Sequence, residues 1–190
     1  MVLTNRKGIF SLTDILQRQN TGDWPIGSWL DGSGKYHSLS NHYGYFGGGS
    51  YGQPGVLIST IDRTDYSNDT TKATPKGSLS ISKYVIASVG NQSFGYWGGG
   101  QQPADAATTF TSIIDRLDYA NDTVGASPRT ELDQNLGSLQ AVGNENYGYF
   151  SSGSKSSGSP ANLSTIRRLD YSNDTAGVSP KGVLSAINRR

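Results

Sequence analysis

The sequence predicts an all-β fold assembled from repeated antiparallel units, and three observations carry that prediction. Two motifs return three times in register, the segments between them alternate apolar and polar residues, and the composition is rich in glycine and poor in charge. The 190 residues include 25 glycines and 11 tyrosines, with 34% hydrophobic and 16% charged residues. An average globular chain has about 7% glycine and about 25% charged residues. The apolar content is too high for a disordered chain, which lacks the groups to offset ordering entropy. With no cysteine, a disulfide framework, a thiolate zinc site and a cysteine nucleophile are excluded. A net charge of +1 leaves no electrostatic footprint for nucleic acid or an acidic membrane. No apolar run approaches the roughly 20 residues of a membrane span, and no signal-peptide apolar region opens the chain. The expectation is a soluble protein assembled inside a cell and not inserted in a membrane.

The first 27 residues stand outside the repeat. Ile9, Leu12, Ile15 and Leu16 share one helical face, Ser11 with Asp14 resembles a capping box, and Asn20-Thr21-Gly22 is a stop signal. A helix of about ten residues is marginal alone and must dock on something. Phe10, Leu12, Ile15, Leu16 and Trp24 are the candidate docking residues, either on the chain's own β-domain or on a neighbouring protein.

From residue 28 the repeat sets the elements. Asn41-His42-Tyr43-Gly44-Tyr45-Phe46-Gly47-Gly48-Gly49 returns around Phe94-Gly95-Tyr96-Trp97-Gly98-Gly99-Gly100, and again around Tyr147-Gly148-Tyr149-Phe150-Ser151-Ser152-Gly153. A second block, Ile61-Asp62-Arg63-Thr64-Asp65-Tyr66-Ser67-Asn68-Asp69-Thr70, is echoed at 114–123 and 166–175. Asp65, Asp118 and Asp170 are 53 and 52 residues apart, within the range of propeller blades of about 50 residues. Within a copy, Ser82–Val89 reads as a β-branched strand, Gly90-Asn91 as a hairpin turn, and Phe94–Trp97 as a second strand ending on glycines. A variable polar loop follows at 50–56, 101–109 and 151–162. Thr111–Tyr119 alternates as a half-buried strand, Asn-Asp-Thr ends it as an Asx-type turn, and a link containing Pro75, Pro128 or Pro180 leads onward. The repeats run over about 28–77, 78–130 and 131–181, and 182–190 reads as a stub of a fourth.

Candidate chemistry is weighed against turn and strand roles. His37 and His42 fall on opposite strand faces, which argues against a shared site. Asp62, Asp65 and Asp69, with Asp115, Asp118 and Asp122, suggest one calcium site per repeat, but Arg167 replaces the first aspartate in the third copy. Structural turn chemistry is favoured, so no metal or cofactor is assigned. Arg63, Arg116 and Arg168 share a strand face with Asp65, Asp118 and Asp170, which predicts Arg–Asp contacts between equivalent strands. Asn68, Asn121 and Asn173 match a glycosylation sequon and read as turns. Tyr51, Gln53, Gln101, Gln102, Lys155 and Asn162 occupy the variable loops. There an aromatic ring can stack on a sugar face while amides meet hydroxyls, so these residues are the candidate glycan contacts.

The order of strand, aromatic strand, Gly-Gly, loop, and strand with Asp-Tyr resembles the kelch repeat. The wording Gly44-Tyr45-Phe46-Gly47-Gly48-Gly49 followed by Ser59-Thr60-Ile61-Asp62-Arg63-Thr64-Asp65-Tyr66-Ser67-Asn68-Asp69-Thr70 is similar to tandem repeats in tail-fibre and virion proteins of tailed phages, particularly marine and cyanobacterial ones. The likeness covers about residues 29–190. It implies kelch-like β-propeller-type repeats, three blades and a partial fourth, after a short N-terminal helical segment. It also implies a non-enzymatic virion component: a tail fibre or appendage, assembled in the host cytoplasm, contacting other tail or neck proteins and a host-surface glycan. A capsid or neck decoration protein and a soluble kelch-like carbohydrate-binding protein are the alternatives. The copper site of galactose oxidase, which uses kelch-type blades, requires a cysteine absent here. Propellers close with roughly four to eight blades. Three blades and a stub therefore point to an oligomer that completes the ring, an open array capped by other proteins, or part of a longer chain. Assembly with other chains, as in a homo-oligomer, is the favoured expectation.

Overall fold

The computed structural model describes residues 28–30, 36–38, 43–52, 55–103, 109–155 and 162–186. The chain divides into two compact units, Met1–His42 and Tyr43–Arg190. In the first, β1 (Ser28–Leu30) and β2 (Tyr36–Ser38) pair antiparallel, with Trp29 opposite His37. The predicted helix, with Phe10, Leu12, Ile15, Leu16 and Trp24, lies outside the described residues, as do His42 and Gln53.

The second unit is all-β and antiparallel, with one sheet per sequence repeat. The first sheet is β3 (Tyr43–Tyr51), β4 (Val56–Asp65) and β5 (Thr74–Ser78) in sequential order. The second begins with β6 (Ala87–Gly90) and β7 (Phe94–Gly98). A small hairpin of β8 (Gln101–Gln102) and β9 (Thr109–Phe110) intervenes before β10 (Ile113–Asp118) and β11 (Ser127–Glu131) complete it. The third is the meander β12 (Gly137–Gly143), β13 (Tyr147–Ser154), β14 (Thr165–Asp170) and β15 (Ser179–Val183). The described sheets follow one another without closing into a propeller.

Several local expectations change. The strand predicted over 82–89 is reduced to Ala87–Gly90, because Val85 takes a left-handed φ of 49°, which breaks an extended run. Ser138, its equivalent one repeat later, is also left-handed, at 56°, but lies within β12, and its N–H donates to the Val85 carbonyl at 2.9 Å. The Gly90-Asn91 hairpin is not a two-residue turn. Gly90 pairs with Gly95, and the Asn91 side-chain oxygen accepts the Ser93 and Phe94 N–H groups at 2.9 Å. Asn144 repeats this with Asn146 and Tyr147. The proline links are strands: Pro75, Pro128 and Pro180 sit in β5, β11 and β15, the edges of their sheets, where a missing N–H costs no ladder bond. Each proline lies opposite a register shift in the neighbouring strand. Gly182 and Val183, predicted to open a fourth repeat, instead end β15.

The core lies between consecutive sheets. Ile61, Leu79, Trp97, Leu117 and Ala126 join the first to the second. Tyr96, Ile114, Leu136, Leu139, Phe150 and Leu169 are among those joining the second to the third. The glycine triplet makes this approach possible. A Cβ on Gly47 would lie 2.8 Å from the Trp97 indole nitrogen, and one on Gly98 would lie 2.9 Å from the Phe150 ring.

Candidate functional site

The polar residues that recur in every repeat converge at the sheet junctions. At the first junction the Arg63 guanidinium meets an Asp122 carboxylate oxygen at 2.7 Å, and the Tyr45 hydroxyl donates to the same oxygen at 3.0 Å. Lys76 approaches the other oxygen at 3.8 Å. At the second, Arg116 meets Asp174 at 2.8 Å, Tyr96 donates at 3.0 Å, and Arg129 stands at 3.4 Å. Aromatic rings complete each clamp. Tyr45 stacks on Tyr119 at 4.6 Å and Tyr96 on Tyr171 at 5.0 Å, while Arg63 and Arg116 lie over the Tyr43 and Phe94 rings, a favourable cation–π arrangement. Burial, then the Asp122 hydrogen bond, pushes the Tyr45 hydroxyl up to about 12. Burial likewise pushes Tyr119 up to about 12 and raises Tyr96 and Tyr171.

The predicted partners of these arginines are corrected. Asp65, Asp118 and Asp170 end their strands, and their side chains close the following turn. Asp65 accepts from the Ser67 N–H at 2.8 Å, Asp118 from Ala120 at 2.9 Å and Asp170 from Ser172 at 3.0 Å. A carboxylate at a strand end finds its own turn N–H groups closer than any neighbouring strand. Hydrogen bonds from Ser172 hold the Asp170 carboxyl below the usual range. Arg63 and Arg116 are instead met by Asp122 and Asp174, which the sequence assigns to turns and, for Asp122, to a candidate calcium set. What marked them was their recurrence in Asn-Asp-Thr. Asn68 and Asn121 do act within the turn, accepting from the Thr70 and Thr123 hydroxyls.

The aspartates of one repeat therefore do not gather around a cation. Asp118 faces its turn, Asp122 the preceding repeat, and Asp115 pairs with Lys83 at 3.0 Å, both fully buried. Burial lowers the Lys83 ammonium, opposed by the Asp115 charge. Lys83 also donates to the Trp97 and Ile113 carbonyls. In the third repeat Arg167 stands where Asp115 does and pairs with Asp133. Among the described residues no group of three metal-ligating side chains occurs.

The predicted loop residues are placed at one end of each sheet but are not joined to one another by any hydrogen bond described. Tyr51 ends β3 and is exposed. Gln101 and Gln102 form the half-buried β8, where the Gln101 side-chain oxygen accepts the Tyr84 hydroxyl. Asn162 is half-buried and accepts from Ser154 at 2.8 Å. Lys155 is half-buried just after β13. A separate surface cleft of about 270 Å³ opens between the first and second sheets, lined by Tyr43, Tyr45, Tyr66, Val89, Trp97 and Tyr119 among others. The sequence reading missed this cleft, since it forms only where two repeats meet.

No family model and no curated protein matches the chain. Among solved structures it is similar to one entitled "Structure of YjhT", with a TM-score of 0.60 and 11% identity over 77% of this chain and 50% of that one. The likeness is one of fold. The chain spans about half the length of the structure it matches.

Proposed function

We propose that the three sheets are blades of an incomplete kelch-like propeller, and that the chain is a non-enzymatic virion component, a tail fibre or tail appendage used for assembly and host-surface recognition. The carrying observation is the clamp. The recurrent Tyr, Arg and Asp residues at both junctions hold one sheet to the next, which is the work of a scaffold. The repeat wording supports the phage assignment. Loops at equivalent ends of rigid sheets, and a tyrosine-lined cleft, suit sugar faces, since rings stack while hydroxyls and amides hydrogen-bond.

The test joins location to binding. Antibody labelling of purified phage particles places the protein on the tail, and the full chain binds intact host cells or a glycan array. Tyr51→Ala and Lys155→Ala lower cell binding by about tenfold, equivalent to about 1.4 kcal/mol, with an unchanged melting temperature. Particle labelling without any glycan or cell binding would leave the purely structural decoration role. Glycan binding by a protein absent from particles would leave the soluble lectin.

A further inference from the structure

The two outer faces of the described arc carry the two halves of the clamp seen inside it. On the first repeat, the residues equivalent to those buried at the internal junctions face outward. Phe46 is 67% exposed, whereas its counterparts Trp97 and Phe150 are 3% and 0% exposed. Tyr66, which also borders the cleft between the first and second sheets, is 61% exposed, whereas Tyr171 is 9%. Asp69, the counterpart of Asp122 and Asp174, is exposed and has no hydrogen bond or ion pair among the described residues. The third repeat carries the reciprocal half. Arg168 lies over the Tyr147 ring at 4.4 Å, as Arg63 and Arg116 lie over theirs, and it attracts Asp170 of its own strand, but among the described residues no carboxylate forms an ion pair with it and its buried Nε has no acceptor. Tyr149, the counterpart of Tyr45 and Tyr96, meets Tyr147 edge-on at 6.4 Å and among the described residues stacks on no ring.

We infer that a second copy of this chain docks head to tail, with Asp69 and Tyr66 of one copy seated against Arg168 and Tyr149 of the other, so that two copies complete one ring. The charges are complementary, and the two faces are related by the same repeat that relates the internal ones. A head-to-tail contact made twice around a two-fold axis closes and leaves no clamp unpaired. The inference rests on reading the sheets as blades.

One difference sets the strength of the contact. The internal junctions close over Gly47-Gly48 and Gly98-Gly99, where a Cβ on Gly48 would lie 2.4 Å from the Lys83 carbonyl oxygen. The third repeat has Ser151-Ser152 there, with Ser152 held at a left-handed φ of 61°. Ser152 is itself buried at 2% exposure, but Ser151 is half-buried at the position where Gly47 and Gly98 admit Trp97 and Phe150, so its side chain holds the copies further apart than internal neighbours and the pair dissociates reversibly.

The test is sedimentation and mass photometry of the full chain at concentrations up to about 100 µM. The wild type is expected to form a concentration-dependent dimer. Asp69→Arg alone and Arg168→Asp alone each weaken it by about tenfold or more, the double exchange restores it, and Ser151→Gly tightens it. Circular dichroism of each variant confirms that the fold is kept. A wild type that stays monomeric over this range would overturn the inference, including the case in which residues 1–42 cover either face. So would a dimer indifferent to both single changes, or a ladder of larger species. Host-cell binding by a monomer would leave the proposed function standing. A charge-rescuable dimer whose electron-microscopy image lacks a ring would instead overturn the reading as blades.

Discussion

The second and third sheets place a buried ion pair at the same point and give it opposite polarity. In the second, Asp115 on β10 is met by Lys83 from the segment before the sheet; in the third, Arg167 on β14 is met by Asp133 from the corresponding segment. Both strand residues sit beside the register shift opposite a proline. In these two sheets the position accepts either sign as long as the buried charge is paired; the half-buried Asp62 occupies it in the first sheet. Solvent access differs: both members of the first pair are fully buried, whereas the Asp133 side chain is 32% exposed. Removing one partner of a fully buried pair strands a charge away from water, while an exposed partner can be replaced by water.

The largest expected effect follows from that difference. Asp115→Ala, which leaves Lys83 unpaired, should lower stability by about 3–5 kcal/mol in urea denaturation. Pairing it with Lys83→Met should recover most of the loss. Equal effects of Asp115→Ala and Asp133→Ala would break the comparison. Next come the clamps. Asp122→Ala and Asp174→Ala should each cost about 2–3 kcal/mol, as expected for hydrogen bonds to charged groups, and should match each other because the geometry repeats. Asp133→Ala should cost about 1–2 kcal/mol, at the lower end of the same class. Asp118→Ala, which removes only a turn acceptor, should cost about 0.5–1 kcal/mol.

The pH response sharpens the picture of the clamps. Tyr45 and Tyr119 are raised from 10.0 to about 12 by burial, with the Asp122 contact adding at Tyr45. The folded state thus holds these protons more tightly than the unfolded chain. Their stabilisation is complete below pH 10 and is lost as pH rises from 10 toward 12. Denaturation midpoints should fall over that window, and tyrosinate absorbance of the folded protein should appear late. Tyr45→Phe should flatten part of the fall. A midpoint constant across the window would show that these hydroxyls are not buried.

Much of the fold was legible in the sequence because a threefold repeat states its own boundaries. Tyr43–Asp65 and its echoes gave two neighbouring strands of each sheet, whereas residues 28–42, read as the start of the first repeat, fall in the other compact unit. Less legible were Val85 and Ser138, whose left-handed backbone no propensity reveals, and the prolines, which look like links until an edge strand is seen to tolerate them. At the site, the residue types were visible but their partners were not. Alternation set Arg63 beside Asp65 on one strand, yet the partner is Asp122, 59 residues away.

The sequence by itself determined the period, the all-β class and the recurrence of Tyr, Arg, Asp and glycine, because these depend on local pattern and on repetition. Only the tertiary structure decided which aspartate each arginine meets, which glycines make room for Trp97 and Phe150, and which faces are left with half a clamp. Those choices depend on how closely one sheet can approach the next, a distance between repeats that the order of residues within a repeat does not contain.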